Sequence, residues 1–259
     1  HWYQGTADAI RQNMHFFDRD DPRLLLVLAG DHIYKGDYRL MQQFHDEKKA
    51  CLTVSCLRVP AAQAAGQYGV LEVDENYKVV GFEEKPTVPK CIPGTTDCLA
   101  SMGIYIFDYG DMRDMLADYT DFGKDVIPAL VKAGNDVYAY DYTSLNRFPE
   151  YEYQKRSGFR ERERVECASD SAYWRDVGTL DAFWKANLDL VSIAPKFNLY
   201  GELWPIFNYP MHFPPTKFVH ESPGRTGVAY NSILADGVTV SGATIRSRLL
   251  GPGVYVHSF

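Results

Sequence analysis

Residues 24–34, LLLVLAGDHIY, decide the fold of this chain. Residues 24–29 are apolar without alternation, which is typical of a short strand buried on both faces of a parallel sheet. The run ends in Gly30 and Asp31, and open α/β sheets bind ligands at the carboxyl ends of such strands. The stretch therefore predicts an α/β fold and makes Asp31 a candidate metal ligand. A solvated or capping aspartate explains the same residue equally well.

Helical and extended segments alternate around this stretch. The predicted helices are 6–18, 37–49, 122–133 and 180–191, and the predicted further strands are 50–57, 68–73, 79–84, 100–107 and 137–142. The turn at 74–76 joins two of these strands as a hairpin, so we expect a mixed sheet flanked by helices.

The end of the chain follows a different pattern. From residue 232 it divides into blocks of six, SILADG, VTVSGA, TIRSRL and LGPGVY, which are typical of a parallel β-helix. Small residues in the fourth place are predicted at the corners: Ala235, Ser241, Ser247 and Gly253. The first-place residues are Ser232, Val238, Thr244, Leu250 and Val256, and apolar residues are predicted to stack inward. Prolines at 201–215 indicate a linker, so the predicted domains are 1–200, a linker 201–227, and 228–259.

Composition narrows the function classes. The 259 residues are 46% hydrophobic and 24% charged, which is ordinary for a globular protein. A net charge of −7 argues against nucleic-acid binding, and no apolar run approaches the roughly 18 residues of a membrane span. Five cysteines, an odd number, and the lack of a signal-peptide pattern predict reduced thiols in a cytoplasmic protein.

Residues 143–172 are dense in charge and show little apolar periodicity. We expect a solvated loop or a short exposed helix there. A regulatory or subunit contact is the alternative.

Three further motifs carry chemistry. Gly5 and Thr6 open a helix whose free amides suit an anion or the edge of a base, unless Thr6 is a plain N-cap. Lys85 offers a compact charge for a phosphate, or is a surface lysine at a strand end. Asp176, before Gly178, is either a turn residue or a second carboxylate. Asp31 and Asp176 together would suit Mg²⁺.

Six phrases occur in the order found in the bacterial and plant ADP-glucose pyrophosphorylases, or glucose-1-phosphate adenylyltransferases. They are HWYQGTADA (1–9), LAGDHIY (28–34), EEKP (83–86), ASMGIYIF (100–107), DFGKDVIP (121–128) and YWRDVGT (173–179). The chain resembles this family over nearly its whole length, apart from 143–172.

The resemblance implies a Rossmann-like nucleotidyltransferase domain followed by the start of a left-handed parallel β-helix. It implies an enzyme, usually a homotetramer, that makes ADP-glucose and pyrophosphate from ATP and glucose 1-phosphate for glycogen or starch synthesis. Residue by residue, it implies that Asp31 and Asp176 hold Mg²⁺ and that Lys85 is the third catalytic residue. The implied sugar-phosphate contacts are Tyr3, Gly69, Glu84, Lys85 and Ser101, the implied adenine contacts are Gly5 and Thr6, and Arg19 matches a regulatory nucleotide site.

The chain also departs from the family. The family's glycine-rich loop for the ATP phosphates and most of its β-helix have no counterpart here, so we expect a fragment with little or no activity alone. Three alternatives stay open: another sugar-1-phosphate nucleotidyltransferase, a non-catalytic regulatory subunit, and an interaction module built on the repeats.

Overall fold

The structure is a computed structural model that describes residues 2–116, 119–156 and 158–258. The predicted domain ends at 1 and 259, and residue 157 of the predicted loop, lie outside these ranges. The chain forms two compact units, His1–Gly30 with Gly36–Arg147, and Asp31–Lys35 with Phe148–Phe259.

The helices are α1 Thr6–Arg11, α2 Met14–Asp20, α3 Tyr38–Lys48, α4 Ala61–Ala64, α5 Tyr109–Met115, α6 Ile127–Lys132, α7 Tyr142–Leu145 and α8 Leu180–Leu190, and a π-helical turn spans Phe122–Val126. The strands are β1 Leu24–Val27, β2 His32–Tyr34, β3 Leu52–Pro60, β4 Gly69–Val73, β5 Val79–Glu84, β6 Asp97–Asp108, β7 Val137–Asp141, β8 Glu150–Arg156, β9 Phe159–Val165, β10 Trp174–Asp176, β11 Lys217–Val219, β12 Glu221–Ser222, β13 Arg225–Thr226, β14 Val228–Tyr230, β15 Ile233–Leu234, β16 Thr239–Ser241, β17 Thr244–Arg246, β18 Leu249–Leu250 and β19 Tyr255–His257.

The first unit is built on a six-stranded sheet in the order β5-β4-β6-β3-β7, with β1 also paired to β6. Only β3 and β7 run parallel, so the predicted mixed sheet is confirmed, as is the predicted β4–β5 hairpin. Apolar residues of the central strands pack in one cluster with Phe122 and with residues of α1, α5 and α6, which keeps Leu52 and Phe107 almost completely buried.

The first strand differs from its prediction. β1 pairs antiparallel with β6 and has no other strand neighbour in the described part of the chain. Leu25 is buried, but Leu26 is 39% exposed and Leu28 beyond the strand is 44% exposed. The expectation of a strand buried on both faces of a parallel sheet is therefore wrong, because an unbroken apolar run does not distinguish a central strand from one with a single neighbour.

The second unit contains a hairpin where we predicted a loop. β8 and β9 pair antiparallel from Glu150 opposite Val165 to Arg156 opposite Phe159. In these strands the residues that alternate between the two faces differ in charge, and not in whether they are apolar or polar. The hydrophobic pattern therefore did not predict a strand. The expectation of a loop or helix at 143–172 is wrong for these strands.

A buried polar cluster ties several segments of the second unit together. Lys35, at the end of β2, pairs with Asp170 at 3.0 Å, and both side chains are at most 3% exposed. Lys35 donates to the carbonyl of Asn198 (2.7 Å), and Asp170 accepts from the amide of the same residue (3.0 Å). The buried carboxylate of Glu150 accepts from the backbone amides of Glu202, Leu203 and Trp204. The cluster thus fixes residues 198–204 beside β2 and β8.

The last part of the second unit winds as a parallel coil. Val228 pairs with Thr244, Ile233 with Leu249 and Thr239 with Tyr255, so one coil takes 16 residues. The inward-facing residues stack in the same steps: Ala229 and Ile245, Leu234 and Leu250, Val240 and Val256. The parallel pairing and the stacked apolar residues confirm the predicted β-helix class.

A strict period of six does not hold, however, because a 16-residue coil needs two shorter sides. Thr244, in the first place of its block, is exposed, and Ile245 in the second place is buried. The corners carry left-handed backbone at Asn231, Gly237, Gly242, Ser247 and Gly253. Of the predicted corner residues, Ser247 and Gly253 are therefore correct, whereas Ser241 is buried within β16.

A small hairpin, β12–β13, leaves the coil at one corner. β11 pairs in parallel with β16, but their partners Lys217 and Thr239 are 22 residues apart. The amide of Gly227 donates to the carbonyl of His220 (3.2 Å), which closes the base of residues 221–226. Those six residues account for the difference from the 16-residue spacing elsewhere. No helix in the described residues is long and apolar enough to cross a membrane.

Candidate active site

Two carboxylates meet at the short β2–β10 ladder of the second unit. β2 and β10 pair antiparallel with Asp176 opposite His32, and the amide of Val177 donates to the carbonyl of Asp31 (2.9 Å). One ligand atom from each of Asp31, His32 and Asp176 lies within 4.8 Å of the others. Asp31 thus takes its position from this ladder, whereas its sequence placed it at the edge of the main sheet.

The ring of His32 completes this cluster from the buried side. Its Nε2 lies 3.8 Å from Oδ1 of Asp31, and its ring meets that of Trp174 edge-on at 4.9 Å. Burial lowers the pKa of His32, and the charges of Asp31 and Asp176 oppose that shift. A neutral imidazole therefore lies beside the two carboxylates near pH 7. The sequence analysis did not select His32, although it lies next to Asp31.

Gly178 lies against both carboxylates. Its amide donates to Oδ1 of Asp176 (2.6 Å). A Cβ at this position would stand 3.0 Å from Oδ1 of Asp176 and 3.1 Å from Oδ2 of Asp31. The glycine therefore keeps open the space onto which the two carboxylates converge. This role follows from the register of the β2–β10 pair and is not evident from the sequence.

No lysine or arginine of the described residues pairs with either carboxylate. The neighbouring Arg175 pairs with Asp189 on α8 instead (2.5 Å). Two close carboxylates without a cation repel each other, and a bound divalent ion removes that cost. The oxygens suit a hard cation, and the imidazole is also a metal ligand, so these residues fit a divalent metal ion.

A second group of predicted residues lies together in the first unit. Gly69 on β4 stands opposite Glu84 on β5. On the other side β4 pairs with β6, with Val70 opposite Ala100, so Ser101 belongs to the same row. A Cβ on Gly69 would stand 2.8 Å from Oε2 of Glu84, which shows how closely that carboxylate covers the glycine.

Lys85 follows this row with a left-handed backbone, φ 49°. Its amide donates to the carbonyl of Tyr68 (3.1 Å), which ties the residue to the start of β4. The side chain is exposed and pairs with no carboxylate among the described residues. A lysine in a sparsely populated backbone conformation at the end of a strand is a reasonable candidate for a functional residue.

Ser101 is partly engaged within the fold. Its hydroxyl oxygen accepts from the amide of Gly103 (3.3 Å). Burial raises the pKa of the neighbouring Tyr105 to about 12, and a hydrogen bond with Ser101 opposes that shift.

The start of α1 corrects one expectation. The amides of Ala7 and Asp8 donate to the carbonyl of Thr120 (2.9 and 3.0 Å), so they are not free for an anion or a base. The close approach is possible because Gly5 has no Cβ, which would otherwise collide with the carbonyl oxygen of Thr120. Thr6 does not cap its own helix. Its hydroxyl accepts from the amide of Phe122 (3.2 Å) and contacts Asp121 (3.4 Å).

The segment 120–123 connects α1 to the Glu84 row. Gly123 lies so near Glu84 that a Cβ would stand 3.2 Å from Oε2. Asp125 holds the segment, because its carboxylate accepts from the amides of Thr120 and Asp121 (3.1 and 2.9 Å). Those bonds lower the pKa of Asp125. The motif at 121–128 stands out in the sequence, but the sequence alone does not assign roles to its residues.

The remaining predicted residues lie near the N-terminal helices. The hydroxyl of Tyr3 accepts from the side chain of Asn13 (3.1 Å), and Tyr3 is 52% exposed. Arg19 pairs with its neighbour Asp20 (3.0 Å) on the surface. The contacts of Tyr3 and Arg19 are those expected of any exposed residue, so their functional roles stay predictions.

Comparisons with known proteins agree on the class of domain. The profile described as "Nucleotidyl transferase" matches residues 2–192, and that described as "GlmU-like, C-terminal hexapeptide" matches residues 214–259. Proteins named glucose-1-phosphate adenylyltransferase from Alteromonas mediterranea and Shewanella baltica are 43% and 44% identical to the whole chain. One named glucose-1-phosphate adenylyltransferase 2 from Pseudoalteromonas atlantica is 42% identical. The chain spans 56–58% of the length of these relatives.

Proposed function

Because the chain belongs to the nucleotidyl transferase family, we propose that the whole protein transfers AMP from ATP to glucose 1-phosphate. The products are ADP-glucose, the precursor for glycogen or starch synthesis, and pyrophosphate. The relatives' shared name supports this substrate pair.

The convergence of Asp31 and Asp176 carries the proposal. These two residues, 145 positions apart in the chain, bring their carboxylates together with a glycine where a larger residue would crowd them. The family generally uses a divalent metal ion, and we propose Mg²⁺ held by Asp31 and Asp176. When bound, the ion neutralises charge on the phosphate oxygens and on the leaving pyrophosphate.

The attacking group needs no general base. A phosphate monoester loses its second proton near pH 6, so glucose 1-phosphate is already anionic at neutral pH. Asp31 therefore serves as a ligand rather than a base, and its neighbour His32 is not required to move a proton.

In the first unit, Lys85 provides the positive charge for the sugar phosphate, and Glu84 accepts from the sugar hydroxyls. Gly69 and Ser101 line the same row, and Tyr3 contacts the sugar phosphate from the N-terminal helices. Gly5 and Thr6 bind near the adenine, and their contacts with residues 120–122 hold them in position. These roles rest on the row of strands β5, β4 and β6 and on the contacts of Thr6.

The direct test is pyrophosphate release by the whole protein that carries this sequence, with glucose 1-phosphate and Mg²⁺. ATP should support release, whereas UTP, dTTP and GTP should not. Asp31→Asn should abolish most turnover while leaving glucose 1-phosphate binding intact. Preference for another nucleotide would indicate a different sugar nucleotidyltransferase. An inactive protein that still binds ADP-glucose would indicate a regulatory subunit.

Substrate binding can be tested apart from catalysis. Lys85→Gln should weaken glucose 1-phosphate binding by about tenfold or more in calorimetry, because it removes a charge-assisted hydrogen bond. Lys132→Gln is the matched control, an exposed lysine of the same unit on α6. Equal affinity in both variants would remove Lys85 from the site.

We further propose that the whole protein is a cytoplasmic homotetramer with catalytic residues in 1–200 and repeats in 228–259, joined by 201–227. Light scattering of the whole protein tests the assembly.

A further inference from the structure

The β8–β9 hairpin has two faces of opposite character. Tyr151 stands opposite Arg164 and Tyr153 opposite Arg162, and Arg160 lies on the same face by alternation. We call these five residues the arginine face. The other face carries Glu152 opposite Glu163, and Gln154 opposite Glu161.

This hairpin is poorly explained as a purely structural element. It is a two-stranded sheet without a further strand among the described residues, and such sheets are marginal alone. Like charges stand opposite each other at Glu152 and Glu163, which is unfavourable. Tyr153 is 68% exposed and Phe159 is 74% exposed. Arginine and tyrosine are the residues most enriched where proteins meet.

The arginine face already binds carboxylates of its own chain. The guanidinium of Arg162 lies 3.9 Å from the ring centre of Tyr151, diagonally across the hairpin, and pairs with Glu202. Arg164 pairs with Glu166 (3.0 Å). Arg160 and Tyr153 repeat the same diagonal one step further out, but no carboxylate among the described residues pairs with Arg160. The outer step therefore repeats the residue types and the register of the inner one, with an arginine that pairs with no carboxylate of the described residues.

Two other occupants fit less well. If two copies paired through β9 about a two-fold axis, each face would stay on one side, so arginine would stand opposite arginine and glutamate opposite glutamate. Nucleic acid binding relies on many phosphate contacts, whereas this face has three arginines, two of which already pair with carboxylates.

We propose that the arginine face is a docking surface for an acidic segment of another protein, in extended conformation. Alternate residues of a strand are about 7 Å apart, so carboxylates two residues apart would match Arg160 and Arg162. At Arg162 the partner carboxylate would displace Glu202, and this exposed ion pair contributes little to stability. Guanidinium groups stacked on tyrosine bind carboxylates with fixed geometry, which favours this partner over a diffuse anion.

The test uses fluorescence anisotropy at low salt with the whole protein and a labelled peptide of alternating glutamate and threonine. Arg160→Glu should weaken binding by about tenfold, because it replaces attraction by repulsion. Glu161→Gln is the matched control, since it changes the neighbouring charge on the opposite face, and it should leave the affinity within about twofold. Both residues are exposed, so folding is not at stake.

Three results would overturn the proposal. The first is no peptide binding by the unaltered protein. The second is a gain of affinity in Glu161→Gln that equals, per unit of charge changed, the loss in Arg160→Glu, which would indicate net charge alone. The third is competition by inorganic pyrophosphate as strong as that by unlabelled peptide at matched charge, which would indicate a general anion site. A peptide with its glutamates replaced by lysine should not bind.

Discussion

The backbone amide of Val177 donates a 2.9 Å hydrogen bond to the carbonyl oxygen of Asp31. This bond extends the β2–β10 ladder one step beyond Asp176. At this point each of the two strands carries a carboxylate, Asp31 just before β2 and Asp176 at the end of β10. The separation of the two carboxylates is therefore set by main-chain pairing, and the proposed metal site depends on the register of a strand pair only three residues long.

Gly178→Ala should weaken divalent metal binding by about tenfold, because the new methyl group would crowd both Asp31 and Asp176. Titration with Mn²⁺ followed by electron paramagnetic resonance measures the change. Gly30→Ala is the control, since a Cβ there meets no atom within 4 Å. Equal loss in the two variants would show that crowding is not the cause.

Gly69→Ala should weaken glucose 1-phosphate binding by about tenfold or more. Its Cβ would stand 2.5 Å from Cζ of Phe82 and 2.8 Å from Oε2 of Glu84, so the carboxylate must move. Calorimetry measures the affinity, and Gly110→Ala, whose Cβ meets nothing within 4 Å, serves as the comparison. Unchanged affinity would mean that Glu84 does not contact the sugar.

Lys35→Met should lower the free energy of unfolding by about 3–5 kcal/mol, because it leaves the buried carboxylate of Asp170 without its partner. Urea denaturation measures the loss. The double variant Lys35→Met/Asp170→Leu removes both charges and should recover much of it. Because Lys35 directly follows β2, the single variant should also weaken Mn²⁺ binding at Asp31. A double variant no more stable than the single one would contradict this account.

His45 should make stability depend on pH. Its Nδ1 lies 2.8 Å from the hydroxyl of Thr53, and burial lowers its pKa against the opposing charges of Asp108 and Asp46. The unfolded chain therefore takes up this proton more readily, so the free energy of unfolding falls as the pH drops below the ordinary histidine pKa of about 6.5.

Urea denaturation at pH 7.5 and 5.5 measures that fall. His45→Gln should reduce the difference between the two values, whereas His212→Gln, at an exposed position, should not. A difference that persists unchanged in His45→Gln would assign the pH dependence to other groups.

The sequence predicted best where apolar pattern and structure coincide. The β4–β5 hairpin and the helix α8 follow directly from periodicity and turn residues. It predicted poorly where polar residues form strands, as at β8–β9, because charges that alternate on two exposed faces have no hydrophobic period.

The same distinction applies to the candidate site. Asp31, Lys85 and Asp176 stood out because a carboxylate suits a metal ion and a lysine suits a phosphate. His32 and Gly178 lie in the same phrases but did not stand out, because their importance comes from pairing and close approach between distant segments. The positions of the corners and of the inward residues in the β-helix were predicted poorly for a related reason. The length of a coil is set by how its corners turn, and the six-residue blocks do not indicate this.

The hairpin at residues 221–226 shows that the chain can be longer at one corner while the geometry of the coil stays the same. The bond between Gly227 and His220 closes the base, and β11 still pairs with β16 as though the six residues were absent. For protein engineering this corner is an insertion point. A binding loop or an affinity tag grafted there would project from the coil and leave the stacking of its apolar residues unchanged.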